Sequence, residues 1–118
     1  MVVVEDDDDI AELLVMSLER AHISVVRAHN GEDGVAAVLR EQPRIVLLDW
    51  MMPVMDGIRA CERIRATAGI VQPHIIMLTA RTRVEDHLHA RASGVDDVIP
   101  KPFRPRAVVA HVRELLAS

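Results

Sequence analysis

The sequence predicts an α/β fold in which a five-stranded parallel sheet is doubly wound with crossover helices, and three observations lead there. Short apolar runs alternate with amphipathic stretches five times along the chain. Val2-Val4, Ile45-Leu48 and Ile75-Leu78 are apolar continuously rather than alternately, as strands covered on both faces are, so they belong in the middle of the sheet. Polar groups gather just past the ends of the runs, where open parallel sheets carry their functional crevice.

The remaining strands are Ser24-Ala28 and Val98-Ile99. Between the first two strands, Ile10, Leu13, Leu14, Met16, Leu18 and Ala21 recur at helical spacing, with Asp8 or Asp9 able to cap the helix and suit its positive end. A second helix fits Glu32 to Arg40, started by Asn30-Gly31 and closed before Pro43. The third begins near Asp56-Gly57, turning Ile58, Cys61 and Ile64 inward and Arg59, Glu62, Arg63 and Arg65 outward. Val84 to Ala92 forms the fourth, stopped by Gly94. Pro105, preorganised for a first helical turn, opens the fifth, whose apolar face is Val108, Val109, Val112, Leu115 and Leu116. The reading is (βα)5, one domain over residues 1–118 with no output domain in this chain.

At 118 residues, one core buries roughly two thirds of the unfolded surface without staples. The lone Cys61 has no disulfide partner, no run approaches the roughly 18 apolar residues of a membrane span, and no basic leader precedes Val2, so the expected location is the cytoplasm. Net charge is −4 and the arginines are scattered, which argues against nucleic-acid binding by this domain itself. With no Tyr, one Phe and one Trp, stacking platforms for a single strand are absent. The composition suits a protein partner or something small and cationic.

Glu5 and Asp6 follow the first strand, Asp49 the third, Thr79 the fourth and Lys101, the only lysine, the fifth. Lysine is a compact point charge on a flexible stem, unlike the planar fork of the arginines used elsewhere. Clustered carboxylates without a cation raise one another's pKa, so this rim wants a divalent metal or a protonated group, and oxygen-only ligands beside a phosphate describe Mg²⁺ better than zinc or calcium. A carboxylate between metal and lysine, as Asp49 is, can attack phosphorus and become an acyl phosphate, with Thr79 and Lys101 balancing charge on the phosphoryl oxygens.

Val3-Val4-Glu5-Asp6-Asp7, Leu47-Leu48-Asp49-Trp50-Met51-Met52-Pro53, Asp56-Gly57, Leu78-Thr79-Ala80 and Lys101-Pro102-Phe103 stand in order over essentially the whole chain. Together they resemble the receiver domain of two-component response regulators. The resemblance implies a flavodoxin-like fold with strand order 2-1-3-4-5, and phosphoryl transfer to Asp49 from the phosphohistidine of a sensor kinase or phosphotransfer protein. It implies Mg²⁺ held by Asp6, Asp49 and the backbone carbonyl of Met51, with Glu5 helping through water. Thr79 and Lys101 would bind the phosphoryl oxygens, and the Lys101-Pro102 bond would be cis. The domain would be a phosphoacceptor, not a conventional enzyme. Asp7, Asp8 and Asp9 read as solvated or capping acids, the six histidines show no metal-ligand spacing, and Met51, Met52 and Met55 read as loop packing.

Three departures from the family pattern stand out. Val98 occupies the position where the family usually has Tyr or Phe, so either output depends on backbone movement of the Thr79-to-Val84 loop or signalling is weak. Trp50-Met51-Met52-Pro53, Thr79-Ala80-Arg81 and Asp96-Asp97 resemble the branch that precedes winged-helix DNA-binding domains, yet His87, Ala107 and His111 replace charges of that branch's homodimer, weakening its ion pairs. Met51 and Arg81, two residues past Asp49 and Thr79, offer no acid or amide to orient water, which implies slow loss of the phosphoryl group. A haloacid-dehalogenase-type enzyme would want an acid where Met51 stands. A degenerate receiver, binding protein without a phosphate switch, is the alternative that Val98 motivates. The abrupt ends at Met1 and Ser118 read as a segment of a longer chain.

Overall fold

The computed structural model describes residues 1–118. Strands and helices alternate as β1 (Val2–Val4), α1 (Asp8–Arg20), β2 (Val26–Ala28), α2 (Gly31–Glu41), β3 (Ile45–Asp49), α3 (Gly57–Ala66), β4 (His74–Thr79), α4 (Val84–Ala92), β5 (Asp97–Pro100) and α5 (Pro105–Ala117). All strand pairs are parallel, in the order β2-β1-β3-β4-β5, so the three continuously apolar strands are the central ones. This is the flavodoxin-like doubly wound arrangement expected from the sequence.

The sheet divides the core into two layers. One packs Val2, Val4, Val46, Leu48, Ile75 and Met77 under α2, α3 and α4; the other packs Val3, Leu47, Ile76 and Leu78 under α1 and α5. Alternate residues of each central strand serve opposite layers, which is why these runs cannot carry a polar residue before their ends. No helix is long and apolar enough to cross a membrane.

Several local expectations change. The cap of α1 is Asp7, whose Oδ1 accepts from the backbone N–H of Asp9 and Ile10, leaving Asp8 and Asp9 in the first turn. In α1 the buried stripe is Ala11, Leu14 and Leu18, while Leu13 and Met16 lie off it and are exposed. β2 begins only at Val26, because the Met1 ammonium donates to the Ser24 carbonyl and Val26 N–H donates to the Met1 carbonyl, so residues before Val26 lie beyond the end of β1. Arg65 does not point into solvent. Its guanidinium folds back to the carbonyls of Gly94 and Pro73 and to Asp96 at 2.8 Å, tying α3 to the starts of β4 and β5.

α4 runs from Val84 to Ala92 as expected, and Gly94 closes it with φ 105°. It is the least anchored helix: only Ala90 is buried, Arg83 supplies no side-chain cap, and Val84 and Leu88 are 73% and 64% exposed.

Candidate functional site

The site forms at the carboxyl ends of β1, β3, β4 and β5. Glu5 leaves β1 fully buried, its N–H bound to the Ala28 carbonyl and its own carbonyl accepting from Arg27 Nη2 at 2.8 Å. Asp6 is the next residue and turns to solvent. Asp49, the last residue of β3, is 4% exposed, and Thr79, the last of β4, is buried with its Oγ1 accepting from Arg81 N–H at 2.9 Å. Lys101 follows β5, where its N–H bonds the Thr79 carbonyl, and the Lys101-Pro102 bond is cis.

Lys101 Nζ donates to Asp49 Oδ1 at 2.9 Å and to Glu5 Oε1 at 3.3 Å. Burial pulls the lysine's pKa down, but the hydrogen bond and charge of Asp49, and then Glu5, outweigh it and hold the ammonium above its ordinary value. Burial pushes the Glu5 carboxyl up, reinforced by the nearby Asp49, to about 8. One ammonium cannot serve two buried carboxylates fully. Glu5 Oε2 is the one buried side-chain oxygen or nitrogen without a hydrogen-bond partner.

The unfolded chain releases the Glu5 proton near 4.5 and the folded one near about 8, so metal-free stability should fall as pH rises across that window. Thermal melts should show this decline, and Glu5→Gln should flatten it; an unchanged slope in that variant would assign the dependence to another group.

Glu5, Asp6 and Asp49 each offer an oxygen within 4.8 Å of the others. An unpartnered buried carboxylate oxygen beside two further carboxylates fits a hard divalent cation, with oxygen donors only. The site thus gathers Glu5, Asp6, Asp49, Thr79 and Lys101. Met51 is 62% exposed, so its side chain is not loop packing, unlike those of Met52 and Met55.

Behind the crevice, Gly57 N–H bonds the Trp50 carbonyl at 2.8 Å and Asp56 caps α3 through Arg59 N–H. A side chain at Gly57 would place its Cβ 2.3 Å from the Asp49 carbonyl oxygen. Trp50 is buried, edge-on to His89 with centroids 5.9 Å apart, and Arg81 Cζ sits 5.1 Å from its ring. Val54, in the loop between β3 and α3, holds φ 69°, a left-handed conformation that a β-branched residue seldom adopts.

Comparison with known proteins agrees with this geometry. The response regulator receiver domain family matches residues 1–113. The chain belongs to that family. The DNA-binding response regulator MtrA of Mycolicibacterium smegmatis is 39% identical over 116 residues, covering 98% of this chain and 50% of MtrA. The DNA-binding dual master transcriptional regulator RpaA of Synechocystis is 34% identical, covering 98% of this chain and 48% of RpaA. This receiver therefore spans about half the length of the curated relatives it matches. Among solved structures, the BeF3-activated N-terminal receiver domain of Klebsiella pneumoniae RstA superposes with TM-score 0.87 at 31% identity, covering 99% of this chain and 97% of that one. As a receiver domain the chain is a phosphorylation-based signalling module, and an acidic pocket for Mg²⁺ is a property of its family.

Spacing along the sequence missed one constellation. His74 and His111, which show no metal-ligand spacing in the sequence, meet at Asp97 across β4, β5 and α5.

Proposed function

We propose that this receiver accepts a phosphoryl group on Asp49 from the phosphohistidine of a sensor kinase or phosphotransfer protein. The observation that carries the reading is the placement of Asp49 at the end of β3, with the Lys101 ammonium at 2.9 Å and an unsatisfied Glu5 oxygen in the same pocket. An Asp49 carboxylate oxygen attacks phosphorus, the P–N bond to the donor imidazole breaks, and its electron pair returns to the ring nitrogen. Asp6, Asp49 and the Met51 carbonyl would hold Mg²⁺, with Glu5 assisting through water. Bound Mg²⁺ supplies charge neutralisation at the phosphoryl oxygens. Lys101 provides the second fixed cation, and the Thr79 hydroxyl, whose oxygen accepts from Arg81 N–H, has its own O–H to donate to the same oxygens.

Treatment with a small phosphodonor and Mg²⁺ should add one phosphoryl mass to the intact protein and change Trp50 fluorescence, while Asp49→Asn should abolish both. No added mass in the unaltered chain sinks the reading and favours the degenerate one. Val98 is the residue that favours this second reading. It is half-buried on β5 and has no ring to swing inward.

The phosphoryl group should persist longer than minutes once the donor is removed. Met51 and Arg81 are both exposed beside the pocket, and neither can orient a water for in-line attack. Decay within seconds in a Mg²⁺-containing sample, followed by mass, would contradict this.

Output is proposed to pass through α4, β5 and α5. The family's homodimer through this face is weakened here. Ala107 and His87 are exposed without charge partners, and His111 is engaged with Asp97 of its own chain. The likeness to DNA-binding regulators suggests that the rest of a longer protein delivers the output, with this domain touching no DNA.

A further inference from the structure

At the end of the sheet opposite the acidic crevice, three metal-ligating side chains converge from separate elements. His74 opens β4, Asp97 opens β5 and His111 lies in α5. His74 Nε2 and His111 Nε2 stand 2.6 and 3.0 Å from the same oxygen, Asp97 Oδ2. All three side chains are about one third exposed, at 32%, 33% and 35%, so an ion can arrive from solvent into partly desolvated ground.

We propose that His74, Asp97 and His111 form a second metal site, selective for a borderline transition ion of the Zn²⁺ class and separate from the oxygen-only pocket around Asp49. Two imidazoles and a carboxylate are a donor set that Zn²⁺, Ni²⁺ and Cu²⁺ accept and Mg²⁺ does not prefer. The backbone holds the ligands in place before any ion binds. His74 N–H bonds the Arg44 carbonyl at 2.8 Å, and Asp97 is paired in register with Ile76. Next to it, Asp96 Oδ2 is fixed by Arg65 and by Ile75 N–H, both at 2.8 Å.

In the metal-free protein both imidazoles donate an N–H to one carboxylate oxygen. When an ion binds there, each neutral ring moves its single proton from Nε2 to Nδ1 and turns the freed Nε2 lone pair to the metal. His74 Nδ1 lies 3.9 Å from Asp96 Oδ2, too far for a hydrogen bond but near enough for the carboxylate's charge to favour a proton on that nitrogen. Zinc–ligand bonds of about 2.0–2.2 Å in a tetrahedron separate the donors by about 3.4 Å, so the observed spacings need open only by several tenths of an ångström. Burial pushes the Asp97 carboxyl up, but the hydrogen bonds from His74 and His111 outweigh it and keep it below its ordinary range, hence ionised. Asp97 and His111 also line the groove of about 410 Å³ between β5 and α5, from which water can reach the site.

The test titrates Zn²⁺ into the Mg²⁺-saturated protein by calorimetry, with histidine ring resonances followed by NMR in parallel. One equivalent should bind, and the His74 and His111 rings should shift while His22 and His29 do not. His74→Gln and His111→Gln should each weaken binding by more than the about 10–100-fold that loss of an outer-shell partner costs. Asp49→Asn should retain Zn²⁺ binding although it loses phosphoryl uptake, which separates this site from the proposed acceptor. Undiminished Zn²⁺ binding in His111→Gln, ring shifts confined to His87 and His89, or loss of binding in Asp49→Asn would each overturn the assignment. The NMR readout needs no variant, so it decides the matter even if a substituted protein fails to fold.

Discussion

Lys101→Ala is expected to slow phosphoryl uptake by about 10²–10³-fold, the usual cost of removing one donor aimed at developing anionic charge. Lys101→Arg should fall at least about tenfold short of the native rate although the charge is kept. The ammonium lies between Asp49 Oδ1 and Glu5 Oε1 and meets both through a single atom. A guanidinium spreads its charge over a planar fork and cannot meet both oxygens through one atom in this way. Single-turnover mass measurement with a small phosphodonor separates the cases. An arginine variant taken up at the native rate would mean that charge alone matters there, and that reach and geometry do not.

Gly57→Ala is expected to destabilise the fold by about 1–3 kcal/mol, the cost of forcing extra volume into a packed site. Its Cβ would lie 2.3 Å from the Asp49 carbonyl oxygen and 2.9 Å from Trp50 Cα. Both are backbone atoms and cannot rotate away, so α3 must retreat from β3 or the end of β3 must shift. Because Asp49 is that end, the variant should also lose phosphoryl uptake, where a misplacement of about 1 Å can cost about 10²-fold. Gly34→Ala is the control. There the three atoms nearest the new carbon all belong to the Val4 side chain, its methyl carbons at 2.7 and 2.8 Å and its Cβ at 3.3 Å, and none to the Asp49 backbone. It should lower the denaturation midpoint while leaving uptake intact. Equal losses of uptake in both variants would show that instability, rather than Asp49 placement, is responsible.

Elements with a strong periodic signal and clear punctuation are legible in this sequence. α5 starts and α4 stops where expected because Pro105 and Gly94 act through local backbone conformation, and the three central strands are marked by being apolar on both faces, while their order is what the family resemblance implies. The gathering of Glu5, Asp6, Asp49, Thr79 and Lys101 is legible for a related reason: strand ends in a parallel sheet converge whatever the helices do. What depends on contacts between distant residues is not. Asp7 rather than Asp8 caps α1 because the turn after Glu5 sets the first helical residue. Leu13 and Met16 are apolar but lie off the stripe that meets the sheet. Arg65 reads as an outward charge until the carbonyls of Pro73 and Gly94 arrive beside it. His74 and His111 are 37 positions apart in sequence yet share one oxygen of Asp97, a meeting produced by the β4–β5 register and the return of α5.

The weak hold on α4 has a thermodynamic consequence. With Ala90 its only buried side chain and no capping side chain at Arg83, the helix has little apolar surface to expose when it shifts or unravels. Its amide hydrogens should therefore exchange with solvent well before those of α3, which buries Ile58, Ala60, Cys61 and Ile64. Driving a two-state element from 1:99 to 99:1 takes about 5.5 kcal/mol of differential interaction. A helix secured this lightly keeps its competing arrangements near in free energy, so a single new charge at the end of β3 can reweight them.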